Sequence, residues 1–181
     1  MNSLPIVFVL AAAIIAVGLW LFFLYKPQKS PHINNIYTEA LNAMVRADRT
    51  KAVSLLRDVV KKDSDHVDAY LQLGNILRDS NPQQAVKIHQ TLTVRSNLSI
   101  EIQEDIHQAL ALDYKTLNNL VLARKEAEQI LRLNKHSQWA VEFLLSLSVQ
   151  EKNWDQAADR TRQLQKLTGN KNPNELTIYT V

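Results

Sequence analysis

The chain contains no cysteine among its 181 residues. This absence excludes disulfide bonds, cysteine nucleophiles and any zinc site built from thiolates, and it is compatible with a reducing compartment. Glycine and proline are also scarce, at three and five residues. Because all-β folds and dinucleotide-binding folds need these residues at many bends, their scarcity argues against both fold classes.

Neither sign of charge is in large excess. The chain has 21 Lys and Arg against 18 Asp and Glu, a net charge of +3, and the two signs are interspersed. This pattern argues against nucleic acid as a partner.

Motifs for catalysis are missing as well. There is no glycine-rich phosphate loop, no Gly-x-Ser-x-Gly turn and no Ser/His/Asp grouping. The five histidines are not spaced as metal ligands on a helix face, and we expect His89 to be a packed core residue. We therefore predict a protein that is not an enzyme and needs no cofactor or metal.

One long apolar run is present, at residues 6–25. It carries no charge, and 13 of its 20 side chains are Ile, Val, Leu or Phe. Twenty helical residues span about 30 Å, the thickness of a bilayer's hydrocarbon core. No basic residue precedes the run and no small-x-small cleavage motif follows it, so we predict an uncleaved transmembrane helix rather than a signal peptide.

Positive charge flanks this run on one side only. Lys26 and Lys29 follow it, whereas residues 1–5 have no charged side chain. The positive-inside rule therefore predicts an outside tail at residues 1–5 and a cytoplasmic C-terminal domain. Within the run, Ala12 and Ala16 belong to a face of small residues, which favours close packing of a membrane partner's helix.

Four similar segments follow, each with two helical patterns. Close crossing of the paired helices requires small side chains at the contact. The second helices repeat an alanine with spacings of 33, 38 and 34 residues, at Ala52, Ala85, Ala123 and Ala157. Eleven or twelve residues before each alanine stands Ala40, Gly74, Ala111 or Leu145. A two-helix unit of about 34 residues is typical of tetratricopeptide repeats.

These patterns together predict an all-α chain. Its domains are a transmembrane helix at 6–25, a linker at 26–33 and an α-solenoid of about four helix pairs at 34–168. Residues 169–181 form a tail or the start of a further helix.

The first helices of such repeats line a concave face, where solenoids bind other proteins. Each first helix has a reference residue at Ala40, Gly74, Ala111 or Leu145. The positions three residues before it, one after it and four after it face inward. We expect Asn75, Arg78 and Lys115 to bind a carboxylate or backbone carbonyls of an extended segment; alternatively, the two cations are merely solvated. The predicted partner-binding residues are Tyr37, Leu41, Asn75, Arg78, Gln108, Lys115 and Glu142.

Three segments of the repeats are distinctive: residues 69–75 (AYLQLGN), 85–90 (AVKIHQ) and 150–157 (QEKNWDQA). With the N-terminal anchor before them, they resemble the lipopolysaccharide assembly protein B family of Gram-negative bacteria, and the resemblance covers roughly residues 1–167. The family ends in a rubredoxin-like zinc module built from two Cys-x-x-Cys pairs. This cysteine-free chain departs from the family there, so the membrane-anchored scaffold transfers better than the specific regulatory role.

The resemblance implies a single-pass adaptor in the bacterial inner membrane, in contact with the lipid bilayer. The anchor helix of family members joins the membrane protease FtsH. Their repeats present a protein client to this protease. The client is the deacetylase that commits precursors to lipid A, and its degradation limits lipopolysaccharide synthesis. Two alternatives stay open: a periplasmic-facing repeat scaffold for cytochrome or envelope assembly, and a structural subunit of a membrane complex.

Overall fold

The computed structural model describes residues 13–17, 20 and 31–169. The chain divides into two units, residues 1–35 and 36–181. In the first unit, residues 13–17 and 20 are helical. Within the described part of the chain, no helix combines the length and the apolar character that crossing a bilayer requires.

Several predictions of the sequence fall outside the described residues. These are the tail at 1–5, most of the membrane span at 6–25 together with Ala12, the linker up to residue 30, and residues 170–181. The transmembrane helix and its orientation therefore stay predictions. Of the predicted linker, residues 31–33 are helical, because the first long helix already begins at Pro31.

Between residues 31 and 169 the chain forms eight α-helices arranged as four consecutive pairs. No strand occurs in this range, so the all-α prediction is confirmed for it. The first helices of the pairs are α1 (Pro31–Val45), α3 (Val67–Leu77), α5 (Ile100–Thr116) and α7 (Gln138–Gln150). The second helices are α2 (Arg49–Lys62), α4 (Pro82–Thr93), α6 (Leu120–Leu133) and α8 (Trp154–Thr168).

Every second helix begins with the same capping arrangement. The side chain of an Asp or Asn accepts a hydrogen bond from the backbone N–H three residues later, which satisfies a donor that the helix itself leaves unpaired. On α5 the same role falls to Ser99, whose side chain accepts from the N–H of Ile102. The caps of the second helices are Asp48, Asn81, Asn119 and Asn153.

The turn inside each pair sets the distance from Ala40, Gly74, Ala111 or Leu145 to the repeated alanine of the next helix. This distance is 11 residues in one pair and 12 in the others. Three pairs share a turn with one left-handed residue, whose φ is 56° or 57°: Ala47, Asn118 and Lys152. In the second pair the turn is one residue shorter, and the N–H of Asn81 donates to the carbonyl of Leu77 at 2.7 Å.

The repeated alanines form the centre of the packing. All four, in α2, α4, α6 and α8, are completely buried. Ala40 and Ala111 are also fully buried, whereas Leu145 is only half-buried and its neighbour Leu144 fills the core instead. Consecutive helices from α2 onward pack against each other, and α3 also contacts α5. This second contact aligns two first helices side by side and creates the groove described next.

Candidate functional site

A groove lies between α3 and α5, on the side formed by first helices. Its volume is about 450 Å³, within the range of sites that accommodate ligands or peptide side chains. Polar and apolar groups share its lining, which consists of Leu71, Gln72, Asn75, Arg78, Asp105, Gln108, Ala109 and Leu112.

Three of the predicted partner-binding residues meet in this groove: Asn75, Arg78 and Gln108. The other four are not part of its lining, although they lie on first helices as expected. Whether any of the seven binds a partner stays a prediction. The residues outside the groove are Tyr37 and Leu41 on α1, Lys115 near the end of α5, and Glu142 on α7.

Arg78, directly after α3, is held in a fixed orientation by the protein. Its Nε donates to Oδ1 of Asp113 at 2.6 Å. Its Nη2 donates to the side-chain oxygen of Asn75 at 2.6 Å and to the carbonyl of Ala109 at 3.3 Å. The side chain is only 16% exposed, so it is not a solvated surface charge. Among the described residues Nη1 has no hydrogen-bond partner, which leaves one nitrogen for a ligand in the groove.

Asp113 of α5 connects Arg78 to a buried histidine. The Asp113 side chain is completely buried, and its Oδ2 lies 2.6 Å from Nδ1 of His89 on α4. Nε2 of His89 lies 3.2 Å from the carbonyl oxygen of Leu71. His89 is itself fully buried, so the prediction of a packed core histidine is confirmed. Arg78, Asp113 and His89 therefore join three helices from two successive repeats.

Gly74 is required by this network. A Cβ atom added there would lie 2.3, 2.5 and 2.8 Å from three atoms of the His89 ring. A small residue was predicted at this position because paired helices cross closely. The structure confirms the close crossing and shows that the atoms which demand it belong to the imidazole.

Asp113 and Asp105 were not among the site residues predicted from the sequence. Asp113 stands between buried positions of α5, among Leu110, Ala111 and Tyr114, and an acid on a core-facing stripe signals a buried partner. Asp105 lies six residues before Ala111, as Asp68 lies six before Gly74. This recurrence would have assigned both carboxylates to the inward-facing side.

The carboxylates of Asp68 and Asp105 shape the electrostatics of the first helices. Partial burial raises the pKa of Asp105 above its ordinary value, and the negative charge of Asp68 raises it further. Burial likewise raises the pKa of the Tyr37 phenol, again with a smaller contribution from Asp68. The Tyr37 ring packs on His66, with ring centroids 4.6 Å apart. Asp68 thus acts on both α1 and α5.

Lys115 and Glu142 have partners outside the groove. Nζ of Lys115 donates to Oγ of Ser146 at 3.3 Å and lies 5.2 Å from the centroid of the Phe143 ring. Glu142 accepts a hydrogen bond from Gln138 at 2.7 Å. These contacts place both charges along α7 instead of beside Arg78.

The remaining predictions concern metals and the membrane partner. No group of three or more metal-ligating side chains occurs in residues 13–17, 20 and 31–169. Ala16 is helical and exposed, whereas Ala12 is not described, so their role in binding a membrane partner stays a prediction.

Comparison with curated proteins finds lipopolysaccharide assembly protein B of Escherichia coli K12. It is 28% identical over 155 residues, which make up 85% of this chain and 40% of that protein. The proteins of the same name from Escherichia coli O6:H1 and O157:H7 match with the same values. The chain therefore spans about 40% of the length of the curated relatives it matches. No protein-family profile matches it. The resemblance predicted from the sequence is confirmed.

Solved structures of low sequence identity share the fold. A tetratricopeptide repeat protein from Parabacteroides merdae has a TM-score of 0.68 at 16% identity, covering 83% of this chain and 58% of that one. The MamA protein has a TM-score of 0.64 at 18% identity, covering 77% and 75%. MamA from Desulfovibrio magneticus has 0.61 at 15% identity, covering 82% and 77%. The chain is thus a tetratricopeptide-like helical repeat protein similar to lipopolysaccharide assembly protein B.

Proposed function

We propose that this protein is a membrane-anchored adaptor that binds an extended segment of a client protein in the groove between α3 and α5. The observation that carries the proposal is the groove itself, where an oriented Arg78 adjoins apolar side chains of both helices. Such a mixed surface suits a peptide, because backbone carbonyls need donors and side chains need apolar contact.

In its specific form, the proposal concerns lipopolysaccharide synthesis. The similarity to lipopolysaccharide assembly protein B supports this assignment. The client is then the deacetylase that commits precursors to lipid A, and the membrane partner is the protease FtsH. The transmembrane helix predicted at residues 6–25 would bind the protease through the face that contains Ala12 and Ala16, with the repeats on the cytoplasmic side of the inner membrane.

Tethering gives the arrangement its physical advantage. A repeat domain confined near the bilayer meets membrane-bound partners at a raised effective concentration, so a weak groove–client contact suffices for capture. No chemical step is assigned to the chain, since its proposed task is to hold two proteins together.

A matched pair of substitutions tests the groove. Gln108→Arg adds a long side chain inside the groove, whereas Gln83→Arg makes the same change on the exposed side of α4. Full-length protein is recovered from membranes, and its partners are identified by mass spectrometry while the client's half-life is followed by immunoblotting. We expect Gln108→Arg to lose the client and lengthen its half-life while keeping the protease, and Gln83→Arg to behave as wild type.

Two results would contradict the proposal. The first is unchanged client recovery in Gln108→Arg, which would exclude the groove as the binding surface. The second is a periplasmic C-terminus in a topology assay with phosphatase and fluorescent-protein fusions, because that orientation would favour the alternative of a periplasmic-facing scaffold.

A further inference from the structure

The charges around the groove distinguish between the two partner groups that the sequence predicted for Arg78. Arg78 was expected to bind a carboxylate or backbone carbonyls of the partner. In the structure its guanidinium is already paired with the buried carboxylate of Asp113, at 2.6 Å. A second carboxylate brought to Arg78 would compete with this pair at close range, whereas a neutral carbonyl can accept from Nη1 without that repulsion.

Two carboxylates, Asp105 in the lining of the groove and Asp68 on the adjoining helix, have in contrast no cation of their own. Asp105 keeps part of its surface exposed at the groove, and Asp68 is exposed at the same register of the neighbouring helix α3. Neither forms an ion pair with any cation in the described part of the chain. Burial raises the pKa of Asp105, and repulsion from the charge of Asp68 raises it further. A positive group placed between them would relieve this repulsion.

Lys115 does not fill this role from within the protein. It follows Asp105 by ten residues on α5, a separation of about 15 Å along a helix axis. Its ammonium group is occupied by Ser146 and by the ring of Phe143. The acidic end of the groove is therefore available to a cation from outside.

We infer that the groove selects an extended client segment bearing a lysine or arginine, whose cationic group pairs with Asp105 beside Asp68 while Arg78 donates from Nη1 to a backbone carbonyl. This inference rests on the proposed function and specifies the chemistry of the client. Asp68 and Arg78 are ten residues apart, or about 15 Å along α3. An extended strand covers that distance in about four or five residues.

The experiment uses random ten-residue peptides, displayed on phage and selected against the full chain in lipid nanodiscs. Selected sequences are synthesised with a fluorophore, and their affinities are measured by anisotropy. We expect selected peptides to be enriched in lysine or arginine. Replacement of the basic residue by glutamine, or Asp105→Asn in the protein, should weaken binding about fivefold, the effect of a partly exposed ion pair.

A control variant tests whether the loss of binding is specific to a carboxylate at the groove. Asp155→Asn removes an exposed carboxylate from α8, a second helix, and should leave binding unchanged. Asp105→Asn should not lower the thermal unfolding temperature, because it removes a repulsion, so weaker binding is not explained by loss of fold.

The possible results distinguish failure of the basic-segment inference from failure of the proposed function. Peptides rich in Asp or Glu, or equal binding to wild type and Asp105→Asn, would overturn the basic-segment inference and leave the groove as a binding surface. Selection of no peptide at all would overturn both this inference and the proposed function.

Discussion

Replacing Gly74 by alanine should destabilise the protein, although the same change in an open helix is stabilising. Alanine is favoured over glycine inside a helix by about 1 kcal/mol. Here the new methyl group would lie 2.3 Å from Nε2 and 2.5 Å from Cε1 of His89. The ring cannot retreat, because it is fully buried and contacts Asp113 and the Leu71 carbonyl.

The magnitude follows from three contributions. Overpacking of a tight core costs about 1–3 kcal/mol. Displacement of the ring breaks buried hydrogen bonds of His89, at a cost of about 1–3 kcal/mol. After the gain in helix propensity is subtracted, the net loss is about 3 kcal/mol. For a chain of this size, each kcal/mol lowers the unfolding temperature by roughly 2–4 °C, so we expect a decrease of about 6–12 °C.

Thermal unfolding followed by circular dichroism, on the full chain in detergent, measures this loss. A double-mutant cycle with His89→Ala identifies its cause: the two changes should cost less together than the sum of each alone, since the smaller residue removes the clash. Gly169→Ala is the control. An added Cβ there meets nothing within 4 Å, and its cost comes from a φ of 70°, so it should be additive with His89→Ala. An unfolding temperature of Gly74→Ala at or above wild type would refute the reasoning.

Two further predictions concern the charged residues Arg78 and Asp105. Arg78→Gln leaves the buried carboxylate of Asp113 without its cation and should lower the free energy of unfolding by about 3–5 kcal/mol in chemical denaturation. Lys115→Gln, at the same register on α5, should lower it by less than about 1 kcal/mol, and equal losses would contradict the structural role of Arg78. Because the pKa of Asp105 is raised above 3.8 in the folded protein, its ionisation should lower stability as the pH rises through the interval above 3.8. Asp105→Asn should remove this decrease. Identical pH profiles of stability for wild type and Asp105→Asn would exclude Asp105 as its cause.

The repeat architecture was predictable because local rules and the fold agree. The fully buried alanines at Ala52, Ala85 and Ala123 recur with the period of the helix pairs, and the Asp or Asn caps stand four residues before them. Both signals are contained within one repeat. A single sequence is sufficient to read them, since each repeat serves as a comparison for the others.

The buried network was not predictable in the same way. Arg78 and Asp113 are 35 residues apart and belong to successive repeats, so their pairing depends on how α3 stacks against α5. Neither residue recurs at its register: the position of Asp113 relative to the small residue is occupied by Ile76 in the second repeat and by Asn42 in the first. A contact made once between repeats leaves no periodic signal.

The network also changes what Arg78 contributes to the groove. A free arginine on a helix surface loses rotamer entropy when it binds a partner, at a cost of about 0.5–1.5 kcal/mol. Arg78 has already lost that freedom on folding, because Asp113, Asn75 and the Ala109 carbonyl fix its guanidinium. Its remaining nitrogen is therefore presented without further ordering, and the same contacts that stabilise the repeats prepare the groove for a carbonyl. If the proposed function holds, stability and client binding are coupled at Arg78, whereas Gln108, for which no hydrogen bond to the described residues is present, reports binding alone.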